Sequence, residues 1–117
     1  MFRDLRKKSF QKFKNTETKI HELNYLFWEC TTRCNMTCLH CGSDCSQNSS
    51  YKDMPLTDFL SALDTIKAKP ENFTVVITGG EPLLRNDLEI CGREIRKHGA
   101  RWSMVSNGYL YNREKHI

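Results

Sequence analysis

The sequence predicts an α/β fold in which three parallel strands alternate with helices. Three observations carry that prediction. Short runs rich in β-branched and aromatic residues occur at 24–30, 73–78 and 102–106. Between them lie segments whose apolar residues recur at helical spacing. Each strand-like run gives way to glycine or to a polar stretch, as a strand end facing a loop requires. Strand–helix–strand alternation buries both faces of a sheet only when the strands run parallel, with right-handed crossovers.

Residues 1–20 read as a basic amphipathic segment, with Phe2, Leu5, Phe10 and Phe13 near one helical face. The first strand is Asn24-Tyr-Leu-Phe-Trp-Glu-Cys30. From Thr31 to about Met54 the composition turns polar and cysteine-rich, a long loop of the kind that usually carries function. A helix follows, with Thr57 as its N-cap, Asp58 at the positive end of its dipole, and Leu56, Phe59, Leu60, Leu63 and Ile66 on one face. Lys67 and Lys69 close it and Pro70 stops it. Phe73 to Thr78 forms the second strand, broken by Gly79-Gly80-Glu81-Pro82. Asn86 with Glu89 makes a capping box for a second helix, whose inner face is Leu88, Cys91 and Ile95. It ends at His98-Gly99. Trp102 to Ser106 is the third strand, closed by Asn107-Gly108.

The 117 residues suffice for one domain. Residues 1–20 are set apart as a basic N-terminal segment, and 21–117 as the domain proper. With 38% hydrophobic and 27% charged residues the chain is of the soluble globular class. No run approaches the roughly 20 apolar residues of a membrane helix, and the start lacks a secretory signal. A cytoplasmic location is therefore expected. The net charge is +4, but residues 1–14 alone carry +5, leaving −1 for the rest. That distribution argues against a nucleic-acid-binding face. The basic segment is expected to cap the bottom of the domain. Contact with a membrane surface or acidic partner, or a transit-peptide role, is the alternative.

Six cysteines without an export signal point to metal or redox chemistry rather than disulfides. Three of them form Cys34-x-x-x-Cys38-x-x-Cys41 directly after the first strand. Thiolates are the usual ligands of iron–sulfur clusters. Three sulfurs from one loop leave one iron of a cubane open, which suits chemistry rather than scaffolding. A zinc site completed by Cys30 or Cys45 is the competing reading, although zinc ligands normally come from two separated knuckles. Cys30 and Cys91 read as packing residues, and Cys45 as a spare thiol near the loop.

The segment Cys30-Thr-Thr-Arg-Cys34-Asn-Met-Thr-Cys38-Leu-His-Cys41 resembles the signature loop of the radical S-adenosylmethionine (SAM) superfamily. Gly79-Gly80-Glu81-Pro82 after the second strand and Ser106-Asn107-Gly108 after the third resemble that family's later motifs, in the right order. The resemblance implies the N-terminal βαβαβ part of a partial (β/α)6 TIM-like barrel. It implies a 4Fe–4S cluster held by Cys34, Cys38 and Cys41, with SAM on the open iron. Glu81 would accept hydrogen bonds from the methionine ammonium, supported by Gly79 and Gly80. His40 would lie near the adenine, and Ser106 and Asn107 would line the pocket. The activity implied is reductive cleavage of SAM to a 5′-deoxyadenosyl radical that abstracts hydrogen from a peptide or small-molecule substrate. The electron donor would be a flavodoxin or ferredoxin. Trp28-Glu29-Cys30-Thr31 and Gly42-Ser43-Asp44-Cys45 are most similar to the branch with a SPASM-type extension, which serves peptide modification or cofactor and haem maturation. A barrel of eight units takes about 250 residues. The sequence is thus expected to be a truncated core that folds without turning over by itself.

Overall fold

The computed structural model describes residues 2–66 and 73–116, without the side chains at 115 and 116. Helix α1 spans Phe2–Glu17 and strand β1 spans Tyr25–Glu29. Helix α2 runs Leu56–Asp64, β2 Thr74–Thr78, α3 Leu88–Lys97, β3 Arg101–Met104 and α4 Arg113–His116. A 3-10 turn at Pro82–Leu84 follows β2. The sheet is parallel in the order β1-β2-β3, with Phe27 beside Val76 and Val76 beside Ser103. The βαβαβ order expected from the sequence is thus observed, with each strand a residue or two shorter than its apolar run.

One face of the sheet makes the core. Because side chains alternate along a strand, Leu26, Trp28 and Cys30 fall on the same side as Val75 and Ile77. Phe59 and Leu63 of α2 and Cys91 and Ile95 of α3 pack with them. Trp28 and Phe59 stack with ring centroids 3.9 Å apart and planes within 6°. Burial of each large aliphatic side chain here contributes roughly 1.5–3 kcal/mol. The opposite face carries Tyr25 and Phe27, both exposed.

Several local expectations change. Thr57 lies inside α2; Pro55 takes the N-cap position and no side chain caps the helix. Pro55 is pre-set for an extended turn by its fixed φ, so the helix begins without a hydroxyl acceptor. Asn86 likewise yields to Asp87 as N-cap of α3, and Glu89 pairs with Arg93 instead of closing a box. The Asp87 carboxylate itself is engaged by Arg85. Gly99, at φ 83°, ends α3 as expected. The predicted close of α2 at Lys67, Lys69 and Pro70 lies outside the described residues. Trp102 is 40% exposed and lies over Gly92, where a Cβ would come within 2.5 Å of its ring. Helix α1 forms, but all its residues are exposed, so the expected packing against the domain is not observed. Among the described residues no helix is long and apolar enough to cross a membrane.

Candidate functional site

The carboxyl ends of the three parallel strands bring the three motifs together, as expected where ligands bind in α/β folds. The loop after β1 and the turn after β2 continue the sheet ladder. Cys30 donates its N–H to Thr78 O at 2.9 Å, Gly80 donates to Thr31 O at 2.8 Å and Glu81 donates to Arg33 O at 2.8 Å. This approach explains both glycines. A Cβ on Gly79 would sit 2.3 Å from Thr31 O, and one on Gly80 only 2.1 Å from Arg33 O. Gly79 also adopts φ 135°, a region closed to most side chains.

Glu81 is fully buried. Its Oε1 accepts from the Leu83 N–H at 3.0 Å and the Ser106 hydroxyl at 2.9 Å, and its Oε2 accepts from the Asn107 N–H at 2.8 Å. The carboxylate therefore clasps the end of β2 to the end of β3. A buried carboxylate needs internal donors, and Glu81 has three. The Gly108 N–H donates to Ser106 Oγ at 2.9 Å. Asn107 reaches the cysteine loop, donating from Nδ2 to Asn35 Oδ1 at 2.9 Å, with Cys34 Sγ 4.0 Å away. Tyr109 N–H donates to Asn107 Oδ1 at 3.0 Å.

All six cysteines are free thiols. Cys34 is buried, and Cys38 and Cys41 are exposed on the same loop, joined by the Cys41 N–H donating to Cys38 O at 3.1 Å. Hydrogen bonds from the backbone of Cys45 and Ser43 pull the Cys41 thiol below its ordinary pKa. Burial pushes Cys30 up to about 12 and Cys91 up to about 11. Burial also raises Cys45, with the neighbouring Cys41 adding to it. Cys30 and Cys91 are fully buried, as their packing role predicts. Among the described residues no three Cys, His, Asp or Glu side chains stand arranged around a metal position. The donor chemistry of the loop fits a thiolate cluster, while the convergence of its three sulfurs is not preformed. That is the usual situation for a site whose assembly is coupled to metal binding. His40 is exposed on the loop. His21 and His98 lie at the surface, and His98 faces Asp64 at 2.6 Å.

Two charged groups escaped the sequence reading. Arg85 is 6% exposed and donates to the Cys30 and Met54 carbonyls and to both oxygens of Asp87. Asp53 accepts from the Thr31 hydroxyl and from Arg33. An arginine following a turn reads as solvated, and nothing in linear spacing signals its two distant carbonyl partners.

The sequence profile of the Radical SAM superfamily matches residues 28–117. A Fe-coproporphyrin III synthase of Methanosarcina barkeri is 29% identical over 87 residues, 74% of this chain and 22% of that protein. An AdoMet-dependent heme synthase of Nitratidesulfovibrio vulgaris is 31% identical over 87 residues, 74% of this chain and 23% of its own. A GTP 3′,8-cyclase of Campylobacter jejuni subsp. doylei is 36% identical over 94 residues, 76% of this chain and 29% of that protein. No solved structure matches. A three-stranded parallel α/β sheet with its motifs gathered at the strand ends is consistent with part of a TIM-like fold. The chain belongs to the radical SAM superfamily, whose members use a 4Fe–4S cluster and S-adenosylmethionine. It spans about a fifth to a third of the length of the curated relatives it matches.

Proposed function

We propose that residues 21–117 are the cluster-binding portion of a radical SAM catalytic domain. Cys34, Cys38 and Cys41 hold the cluster, and the basic segment 1–20 stands outside that portion. The observation that carries this reading is the meeting of the three motifs. Asn107 touches the cysteine loop, Glu81 joins the ends of β2 and β3, and Gly80 abuts the backbone that leads into Cys34. When bound, the cluster supplies the electron that cleaves SAM to methionine and a 5′-deoxyadenosyl radical. The chain's own residues bind and position. Glu81 accepts from the methionine ammonium of SAM, supported by the backbone of Gly79 and Gly80, while its internal donors hold the ends of β2 and β3 together. Ser106 and Asn107 form one wall, and His40 lies on the loop that covers the adenine. The reducing electron comes from a flavodoxin or ferredoxin.

A four-thiolate zinc site completed by Cys30 is disfavoured by packing: Cys30 is fully buried inside the core cluster, whereas Cys38 and Cys41 are exposed. Cys45 as the fourth thiolate is the second reading, which zinc uptake without iron would support. For the substrate, the heme and coproporphyrin synthases among the relatives support cofactor or haem maturation over peptide modification. These residues alone are expected to bind without turnover.

Anaerobic reconstitution with ferrous iron and sulfide tests the reading. The protein should turn brown with about four iron and four sulfide per chain. SAM should perturb the electron paramagnetic resonance spectrum of the reduced protein. Colourless protein, bound zinc without iron, or iron content unchanged in the Cys34→Ala, Cys38→Ala, Cys41→Ala triple variant would each refute it.

A further inference from the structure

The cysteine loop leaves the sheet at Cys30 and ends at Met54, just before α2, and one side chain from elsewhere holds both places. Arg85, just past the 3-10 turn after β2, donates from a single nitrogen, Nη1, to Cys30 O at 2.7 Å and to Met54 O at 3.0 Å. The rest of the guanidinium is locked. Nε and Nη2 fork onto the two oxygens of Asp87 at 2.9 and 2.8 Å, and the cation sits 5.2 Å above the ring of Trp28. Burial opposes the Arg85 charge, but the Asp87 partner more than compensates and holds its pKa above the ordinary value. A second bridge crosses the same neck one residue further in. Asp53, next to Met54, accepts from the hydroxyl of Thr31, next to Cys30, at 2.6 Å and also from Arg33. The carbonyls of Thr31 and Arg33 in turn receive the Gly80 and Glu81 N–H groups. The neck is thus fixed across its width and along the end of β2, immediately before Cys34.

We propose that Arg85 is a positioning residue for the cluster: by tying the two ends of the loop together it restricts the space the three thiols sample and slows loss of the bound group. This rests on the cysteines being the ligands. Loop ends held at a fixed separation shorten the search of the chain between them, which lowers the entropy lost when its thiols converge. Lysine cannot take this place. It carries the charge, but its three donors radiate from one point and cannot fork onto Asp87 while reaching two carbonyls.

The test is iron release from anaerobically reconstituted protein into a ferrous chelator. It compares the parent chain with Arg85→Lys, Asp53→Asn and Ile95→Val, each also followed by circular dichroism and thermal melting. Partners outside a metal's immediate ligands typically alter affinity about 10- to 100-fold when removed. Release from Arg85→Lys is expected to be faster by that order, and from Asp53→Asn by a smaller factor. Ile95→Val, which loosens the same core away from the neck, should release iron at the parent rate. Parent-rate release from a folded Arg85→Lys variant overturns the inference. If Arg85→Lys does not fold, Asp53→Asn decides: faster release supports the neck, and the parent rate overturns it. Equal acceleration by Ile95→Val also overturns it, since general loosening then explains the effect. Failure of the parent chain to take up iron sinks the cluster assignment itself, a different result from any of these.

Discussion

Gly80→Ala isolates a single physical requirement, the contact between the turn after β2 and the loop before Cys34. Unlike Gly79, Gly80 has no left-handed φ, so alanine meets no backbone penalty of its own there. The added methyl would lie 2.1 Å from Arg33 O, 2.6 Å from Arg33 C and 3.1 Å from Cys34 Cβ. Ordinary contact is about 3.5 Å, so turn and loop must part by roughly 1.4 Å. Backbone atoms make up the nearest wall, and no flexible side chain can swing away. A retreat of that size breaks the Gly80-to-Thr31 and Glu81-to-Arg33 hydrogen bonds, both 2.8 Å in the structure. Overpacking costs about 1–3 kcal/mol, and each lost bond about 1 kcal/mol. The expected destabilisation is therefore about 3–5 kcal/mol, a fall in Tm on the order of 15 °C for a domain of this size. Thermal melting by circular dichroism measures it, and reconstituted iron content should fall in parallel because Cys34 moves with the loop. A Tm within about 2 °C of the parent, with full iron content, would refute the close-approach argument.

Three further outcomes follow from the same geometry. Glu81→Gln places an amide donor among three donors in a fully buried position and should destabilise by about 1–3 kcal/mol in urea unfolding; an unchanged urea midpoint contradicts the clasp. Burial raises the Asp53 carboxyl, but its hydrogen bonds from Arg33 and Thr31 outweigh this and leave it below 3.8. Its folded pKa being the lower one, its stabilisation is complete above the unfolded value and is lost as pH falls through the folded value. Acid melts of the parent should therefore steepen below about pH 4 relative to Asp53→Asn, and parallel curves would count against the bridge. In thiol alkylation near neutral pH followed by peptide mapping, Cys41 should react first and Cys38 next, with Cys30 and Cys91 protected. Comparable labelling of Cys30 would contradict its burial.

The order of elements and the inner faces of the helices were legible in the amino-acid order alone. Leu56, Phe59, Leu60 and Leu63 repeat at helical spacing, and the β-branched run at 74–78 admits few alternatives to a strand, so periodicity and side-chain shape suffice there. The three motifs were visible because each depends on neighbours a few positions away. Tertiary structure decided what linear neighbours cannot. Thr57 and Asn86 had the right chemistry for caps, yet Pro55 and Asp87 took those places, because the chain's entry into each helix is set by what the adjoining loop packs against. Glu81 became an internal clasp because its three donors come from residues 83, 106 and 107, gathered only when β2 and β3 pair. Arg85 acquired its role by reaching residues 55 and 31 positions upstream. Helix α1 followed its own period but found no surface to bury its apolar stripe, since amphipathicity specifies a face and only packing supplies the partner.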